Sequence, residues 1–202
     1  MLILASSSAT RKALLDKAGL SFGMVQAPID ERQLEAEAQA AGADGRDLAL
    51  LLARAKAEAV SRTHPGDIVI GADQTLALGP ELLHKPKSRE AAIRQLDHLR
   101  GKTHRLHAAV TLVRDSALLW SDVETAELTM RDFSAAERDR VLDLEGDAVL
   151  DSVGAYRLEG PSIRLFESVS GDYFTILGLP LLPLLAALRD VAPDLLFPGM
   201  EL

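Results

Sequence analysis

Three serines, a threonine and two cations, Ser6-Ser7-Ser8-Ala9-Thr10-Arg11-Lys12, follow directly on a short apolar run at the start of the chain. At a strand-to-helix junction such residues suit phosphate. The helix start offers free N–H groups and partial positive charge, the hydroxyls add donors, and Arg11 and Lys12 add full charges. Taken alone, the same run also reads as a Ser8 N-cap beside two solvated cations.

Carboxylates and further cations recur along the chain. Asp73, in Gly71-Ala72-Asp73-Gln74, follows the β-branched run DIVIG. An Asp at the end of a central strand sits where α/β sheets bind ligands, and it can hold a metal or take a proton from water. It is equally a turn-forming residue. Asp30-Glu31 offers paired hard oxygens for a magnesium-type ion, or a solvated helix start. His84-Lys85-Pro86-Lys87 sets two cations on a loop stiffened by proline, which lowers the entropy cost of gripping phosphate. Alone it also reads as an ordinary surface loop. Glu159, in Gly154-Ala155-Tyr156-Arg157-Leu158-Glu159-Gly160, is a second carboxylate for a site or an exposed strand end. Lys56 falls on the flank of a helix's apolar stripe, turned to a cleft or snorkelling to solvent.

Other chemistries are excluded. There is no cysteine, so disulfides, thiolate metal sites and Cys nucleophiles are absent. The five histidines show no metal spacing, and neither G-x-S-x-G nor G-x-x-x-x-G-K-[ST] occurs. The net charge of −8 repels nucleic-acid backbones, so no nucleic-acid partner is expected. Met1–Ala5 is too short for a signal core, and Ile176–Leu188 is too short and proline-broken to span a bilayer, so no membrane partner is expected either. A cytoplasmic location is the expectation.

The 202 residues suffice for one sizeable domain, and the spacing of apolar residues marks the elements that must position these groups. Strands are predicted at Leu2–Ala5, Phe22–Gln26, Asp67–Gly71 and Thr75–Leu78, with a turn at Gly79-Pro80. Helices are predicted over Lys12–Leu20, Asp30–Ala41, Asp47–Ser61 (apolar stripe Leu48, Leu51, Leu52, Ala55, Ala59), Ser88–Leu99 and Leu181–Leu188. His104–Arg114 and Ala117–Met130 read as a hairpin turning at Asp115-Ser116. Ser134 and Glu137 have capping-box spacing for a helix to about Leu144. Ala155–Arg157 and Ile163–Glu167 read as short strands, and Pro193 onward as a loose tail. The class is α/β, with mixed α+β elements on a mixed sheet.

In order, the blocks LILASSSATRK, IDE, AKAEAV, VIGADQ, KPK, GAYRLEG and GDYFTILGLPL resemble the Maf family of nucleotide pyrophosphatases, from Leu2 to about Leu188. The resemblance implies a fold like that of inosine-triphosphate pyrophosphatases. One domain over 1–190 would have two lobes around a cleft, with 191–202 as a tail. It implies attack of water on the α-phosphorus of a nucleoside triphosphate, releasing pyrophosphate, with Mg²⁺ or Mn²⁺. It also implies roles. Asp73 is the catalytic carboxylate; Ser6, Ser8, Arg11, Lys12, Lys56, Lys85, Gln74 and Glu159 bind substrate; Glu31 and Asp73 hold the metal. A homodimer is plausible from the family. So is the alternative its name suggests, a non-catalytic nucleotide-binding regulator of septum formation.

Departures from the family pattern bear on the base. Ala9 and Thr10 stand where the S-x-S-P-R-R loop has Pro and its first Arg, and His84 replaces a Gly before Lys85. Gln74 replaces the Thr of the dTTP/UTP-preferring subgroup. GADQ with Glu159 is more similar to the subgroup acting on 7-methyl-GTP, although that subgroup tends to carry an aromatic near Thr10.

Overall fold

The structure, a computed structural model, describes residues 1–197. Seven strands form one mixed sheet: β1 (Leu2–Ala5), β2 (Gly23–Met24), β3 (Ile68–Leu78), β4 (Glu81–Leu83), β5 (Thr103–Arg114), β6 (Ala117–Met130) and β7 (Phe166–Ser170). Their order is β2-β1-β3-β5-β6-β7, with β4 also on β3. β1 runs parallel to β2 and β3, and the remaining pairs are antiparallel. The mixed α/β class is therefore as expected. No helix among the described residues is long and apolar enough to cross a membrane.

The helices are α1 (Ala9–Lys17), α2 (Glu31–Ala40), α3 (Gly45–Ser61), α4 (Arg89–Leu99), α5 (Ala135–Glu145), α6 (Tyr173–Ile176), α7 (Leu181–Val191) and α8 (Pro193–Leu196). Their starts carry the residues that satisfy orphan N–H groups. Ser8, Asp30, Ser88 and Asp172 each accept from the helix they precede, and Asp44 and Ser134 complete capping boxes with Asp47 and Glu137.

Several expectations need correcting. The first helix begins three residues earlier than predicted and stops at Lys17, where Gly19 takes a positive φ and donates to the Asp16 carbonyl. Asp67–Gly71 and Thr75–Leu78 are not two strands. β3 is continuous because β5 pairs with it from Val69 to Ala77, which places Asp73 in mid-strand. Ala155–Arg157 is a loop in which buried Ala155 has φ 58°, outside the extended region. Ile163–Glu167 divides into a 3₁₀ turn over Pro161–Leu165, with proline in its first turn, and the start of β7. The predicted tail begins with α8; Pro198–Leu202 lie outside the described residues.

Alternate residues of β3 serve opposite faces. Ile68, Ile70 and Ala72 join Leu2, Leu4, Leu14, Leu15 and α7 in one core. Farther along the same face, Leu76 joins Leu96, Leu106, Leu128 and Phe133 in a second core under α4 and α5. Val69 meets Ala57 and Val60 of α3 on the other face. Of the expected α3 stripe Leu51 is exposed, whereas Leu48, Leu52 and Ala59 are buried together with Ala49, Ala53 and Ala57. Small residues are needed there because a Cβ on Gly71 would lie 2.0 Å from the Ala53 carbonyl oxygen.

Candidate active site

β3 has a gap along one edge. β1 pairs with it only from Ile68 to Gly71, and β4 only from Leu76 to Leu78, while β5 occupies the opposite edge throughout. Ala72 to Thr75 therefore have no strand beside them on that edge. Backbone polar groups left free at an edge must find other partners. Here Arg11 reaches across from α1, and its Nη1 donates to the Ala72 carbonyl at 3.0 Å.

Three further contacts fix Arg11. Nη1 also donates to Ser6 Oγ at 3.3 Å, Nε donates to the Gly178 carbonyl at 2.8 Å, and its backbone N–H donates to Ser8 Oγ. Nη2 has no hydrogen-bond partner among the described residues. Burial lowers the Arg11 pKa, and the charges of Asp73 and Glu31 oppose that shift. Ser8 is the N-cap of α1, and Ser6 Oγ accepts from both the Ser8 N–H and Arg11 Nη1.

Lys56 lies on the buried side of α3, not on its flank. Its Nζ donates to Asp73 Oδ1 at 2.6 Å and stands 3.0 Å from Glu31 Oε2, at the first turn of α2. Only 10% of either the Lys56 or the Asp73 side chain is exposed, while Glu31 is half open to solvent. Burial raises the Asp73 pKa above the usual carboxylate range, and Lys56 and then Arg11 pull it back. Close packing of α3 on Gly71 makes this pair: a bulkier residue would lift the helix, and Lys56 with it.

Ser6, Arg11, Glu31, Lys56 and Asp73 thus converge. The other expected residues do not join them directly. Lys12 turns back to Asp16 on its own helix, 2.5 Å away, on an exposed face. Lys85 is exposed and has no ionic partner among the described residues. The antiparallel register aims the chain after Leu83 from its partner Leu76 toward the open edge, so Lys85 leaves the sheet on the side of the site. Glu159 pairs with Arg157 at 3.3 Å, and Arg157 in turn stands 3.6 Å from buried Glu145. Gln74 is engaged by protein: Nε2 donates to the carbonyls of Thr175 and Ile176 at 3.0 and 2.9 Å.

Sequence reasoning missed Glu124, Thr175 and Gly178. Glu124 has no local signal in a long strand, but its register opposite Ala108, itself opposite Gln74, brings it beside the site. Thr175 and Gly178 lie in the GDYFTILGLPL block, to which the residue types assigned no chemistry.

A divalent ion can be tested against the donor set. Glu31 and Asp73 are close enough to share one ammonium, so both can reach one cation. No group of three His, Asp or Glu ligands exists among the described residues. Two carboxylates completed by phosphate oxygens is a usual arrangement for magnesium. The residues fit such an ion.

Comparison with known proteins identifies the family. Residues 1–191 match the sequence profile of the family described as Maf-like protein. A relative named 7-methyl-GTP pyrophosphatase, from Brucella abortus, is 55% identical over 188 residues, covering 93% of this chain and 94% of its own. A nucleoside triphosphate pyrophosphatase of Bradyrhizobium diazoefficiens is 55% identical over 189 residues, covering 94% and 93%. A 7-methyl-GTP pyrophosphatase of Rhizobium etli is 52% identical over 190 residues, covering 94% and 96%. With a mixed sheet, a family match over residues 1–191 and relatives 55% identical along nearly its whole length, this chain belongs to the Maf family.

Proposed function

We propose that the protein hydrolyses nucleoside triphosphates to monophosphate and pyrophosphate, with water attacking the α-phosphorus. 7-Methyl-GTP is the first substrate to test. The convergence of Arg11 and Lys56 with Asp73 and Glu31 at the free edge of β3 carries this reading. The names of the Brucella and Bradyrhizobium relatives support it.

The geometry supports the following roles. A triphosphate needs several cations despite the overall net charge of −8. Arg11 offers Nη2, the start of α1 offers N–H groups with no acidic residue in its first turn, and Lys85 adds a cation at the rim. Asp73 takes a proton from the attacking water. Its buried carboxyl is more basic than an exposed one, while the charge of Lys56 favours the ionised form. When Lys56 turns from the carboxylates to a phosphate oxygen, Asp73 is released for that task. A bound Mg²⁺ or Mn²⁺, held by Glu31 and Asp73, would neutralise charge on the phosphate oxygens. Arg157 pairs with Glu159 in the free protein, and a cationic methylated base is a suitable replacement partner.

Pyrophosphate release from a panel of normal and methylated nucleotides, with Mg²⁺ or Mn²⁺, is the test. Turnover is expected, with 7-methyl-GTP preferred. Folded protein that turns over no member ends the reading. Tight binding with intact nucleotide would put a non-catalytic regulator in its place.

A further inference from the structure

The GDYFTILGLPL block contributes α6 and the turn after it, and these lie between the two cores. Phe174, Leu177 and Leu179 pack in the core under α1 and α7, while Ile176 packs in the one under α4 and α5. Thr175 between them is fully buried. Its hydroxyl donates to Glu124 Oε2 at 2.5 Å, with Asp172 Oδ1 a much longer alternative at 3.5 Å, and its backbone N–H donates to Asp172. Its carbonyl accepts from Gln74 Nε2 and from the backbone N–H of Gly178. Three residues farther on, the Gly178 carbonyl accepts from Arg11 Nε. Gly178 has φ +93°, a conformation that side chains rarely adopt, so the direction of this carbonyl depends on the turn being held.

Gln74 and Glu124 both flank Ala108 in the sheet register. They grip one residue of α6 from two adjacent points of a rigid sheet. Gln74 directly follows Asp73 in the chain. The support that aims Arg11 is thus built on the strand that carries the carboxylate.

We propose that Thr175, seated on Glu124, is a positioning residue for Arg11. The Thr175–Glu124 hydrogen bond holds the turn so that Gly178 fixes the guanidinium, leaving Nη2 free for a phosphate oxygen. This deepens the pyrophosphatase reading and rests on it for the identity of the phosphate.

The test is a double-mutant cycle read by binding of inorganic pyrophosphate, measured calorimetrically on the full chain. Thr175→Val keeps the shape and removes the hydroxyl. It is expected to weaken binding about tenfold, and Thr175→Ser to restore it, as befits one hydrogen bond to a charged group. In an Arg11→Ala background, Thr175→Val is expected to change affinity less than about twofold, because the group it positions is gone. A merely structural role would leave the loss undiminished in that background. Glu124→Met, at a half-buried surface position, repeats the measurement if Thr175→Val does not fold. Unchanged affinity in the hydroxyl-less variant, an equal loss without Arg11, or no pyrophosphate binding by the parent protein overturns the proposal. A parent protein that binds pyrophosphate and obeys the cycle yet hydrolyses no nucleotide would sink the enzyme reading and leave Thr175 in its role.

Discussion

Lys56 Nζ stands 2.6 Å from Asp73 Oδ1, across the contact between α3 and the strand beneath it. Both side chains are nearly buried, so each is the other's main compensation for lost water. This places the expected catalytic carboxylate in a closed ion pair before any substrate arrives.

Lys56→Met should therefore do more than remove a positive charge. An unpaired buried carboxylate costs about 3–5 kcal/mol near neutral pH. The Asp73 pKa, already raised by burial, should rise further once the opposing Lys56 is gone. A carboxyl with a raised folded pKa stabilises fully below its unfolded pKa, and that contribution is lost as pH rises through the folded value. The variant should thus be destabilised more at about pH 8 than at about pH 4 by denaturant titration. Any remaining activity should show its acid limb at higher pH. Equal destabilisation at both pH values would clear Asp73 of the effect.

Gly71→Ala tests the packing that makes the pair. A Cβ there meets the Ala53 carbonyl oxygen at 2.0 Å and the Ala57 side chain at 2.8 Å, and neither is a flexible tip. Overpacking of this kind costs about 3 kcal/mol, and relief requires α3 to move off the sheet. A lower denaturation midpoint is expected, together with reduced turnover at temperatures where the variant stays folded. Full specific activity in the folded fraction would show that Lys56 keeps its place without the close approach.

How far the sequence can be read follows from these contacts. The hairpin, the capping boxes and most helices are local patterns, and turn and cap residues announce them: Asp115 and Ser116 both adopt positive φ at the hairpin turn. Ser6, Arg11, Glu31, Lys56 and Asp73 can be named as candidates, but their meeting depends on where β1 stops along β3, which is long-range register. Lys56 falls on the flank of a stripe drawn through Leu48, Leu51, Leu52, Ala55 and Ala59, whereas the face packed on Gly71 is centred on Ala53 and Ala57. Gln74 is expected to meet substrate; its partners lie 101 and 102 residues away, where no spacing rule reaches.

Away from the site, His104 should make the fold acid-sensitive. Its Nε2 and the Tyr156 hydroxyl are 2.8 Å apart in the second core, and Nδ1 has no partner among the described residues. Burial lowers the His104 pKa from 6.5 to about 4. A base with a depressed folded pKa contributes fully above its unfolded value, and stability is lost as pH falls toward the folded one. Between 6.5 and about 4, this residue should remove about 1.4 kcal/mol of stability per pH unit. His104→Phe should flatten that part of the stability profile relative to the parent protein. An unchanged slope would mean that other groups carry the acid sensitivity.

Lys12 and Lys85 offer the last comparison, because both are expected to bind phosphate and the structure treats them differently. Lys12 is paired with Asp16 at an exposed i, i+4 position, worth little to stability but enough to turn the ammonium along its own helix. Lys85 has no ionic partner among the described residues, and β4 directs its loop toward the open edge of β3. An unpaired cation gives up no existing contact when it grips a phosphate, whereas Lys12 must first leave Asp16. Lys85→Ala should raise KM for the triphosphate about tenfold, the effect of one charged hydrogen bond, while Lys12→Ala should change it less than about threefold. Neither exposed substitution should move Tm appreciably, so the KM values compare directly. If Lys12→Ala raises KM more than Lys85→Ala does, the Lys12–Asp16 pair opens at no cost and the start of α1 carries more of the polyphosphate than the rim loop.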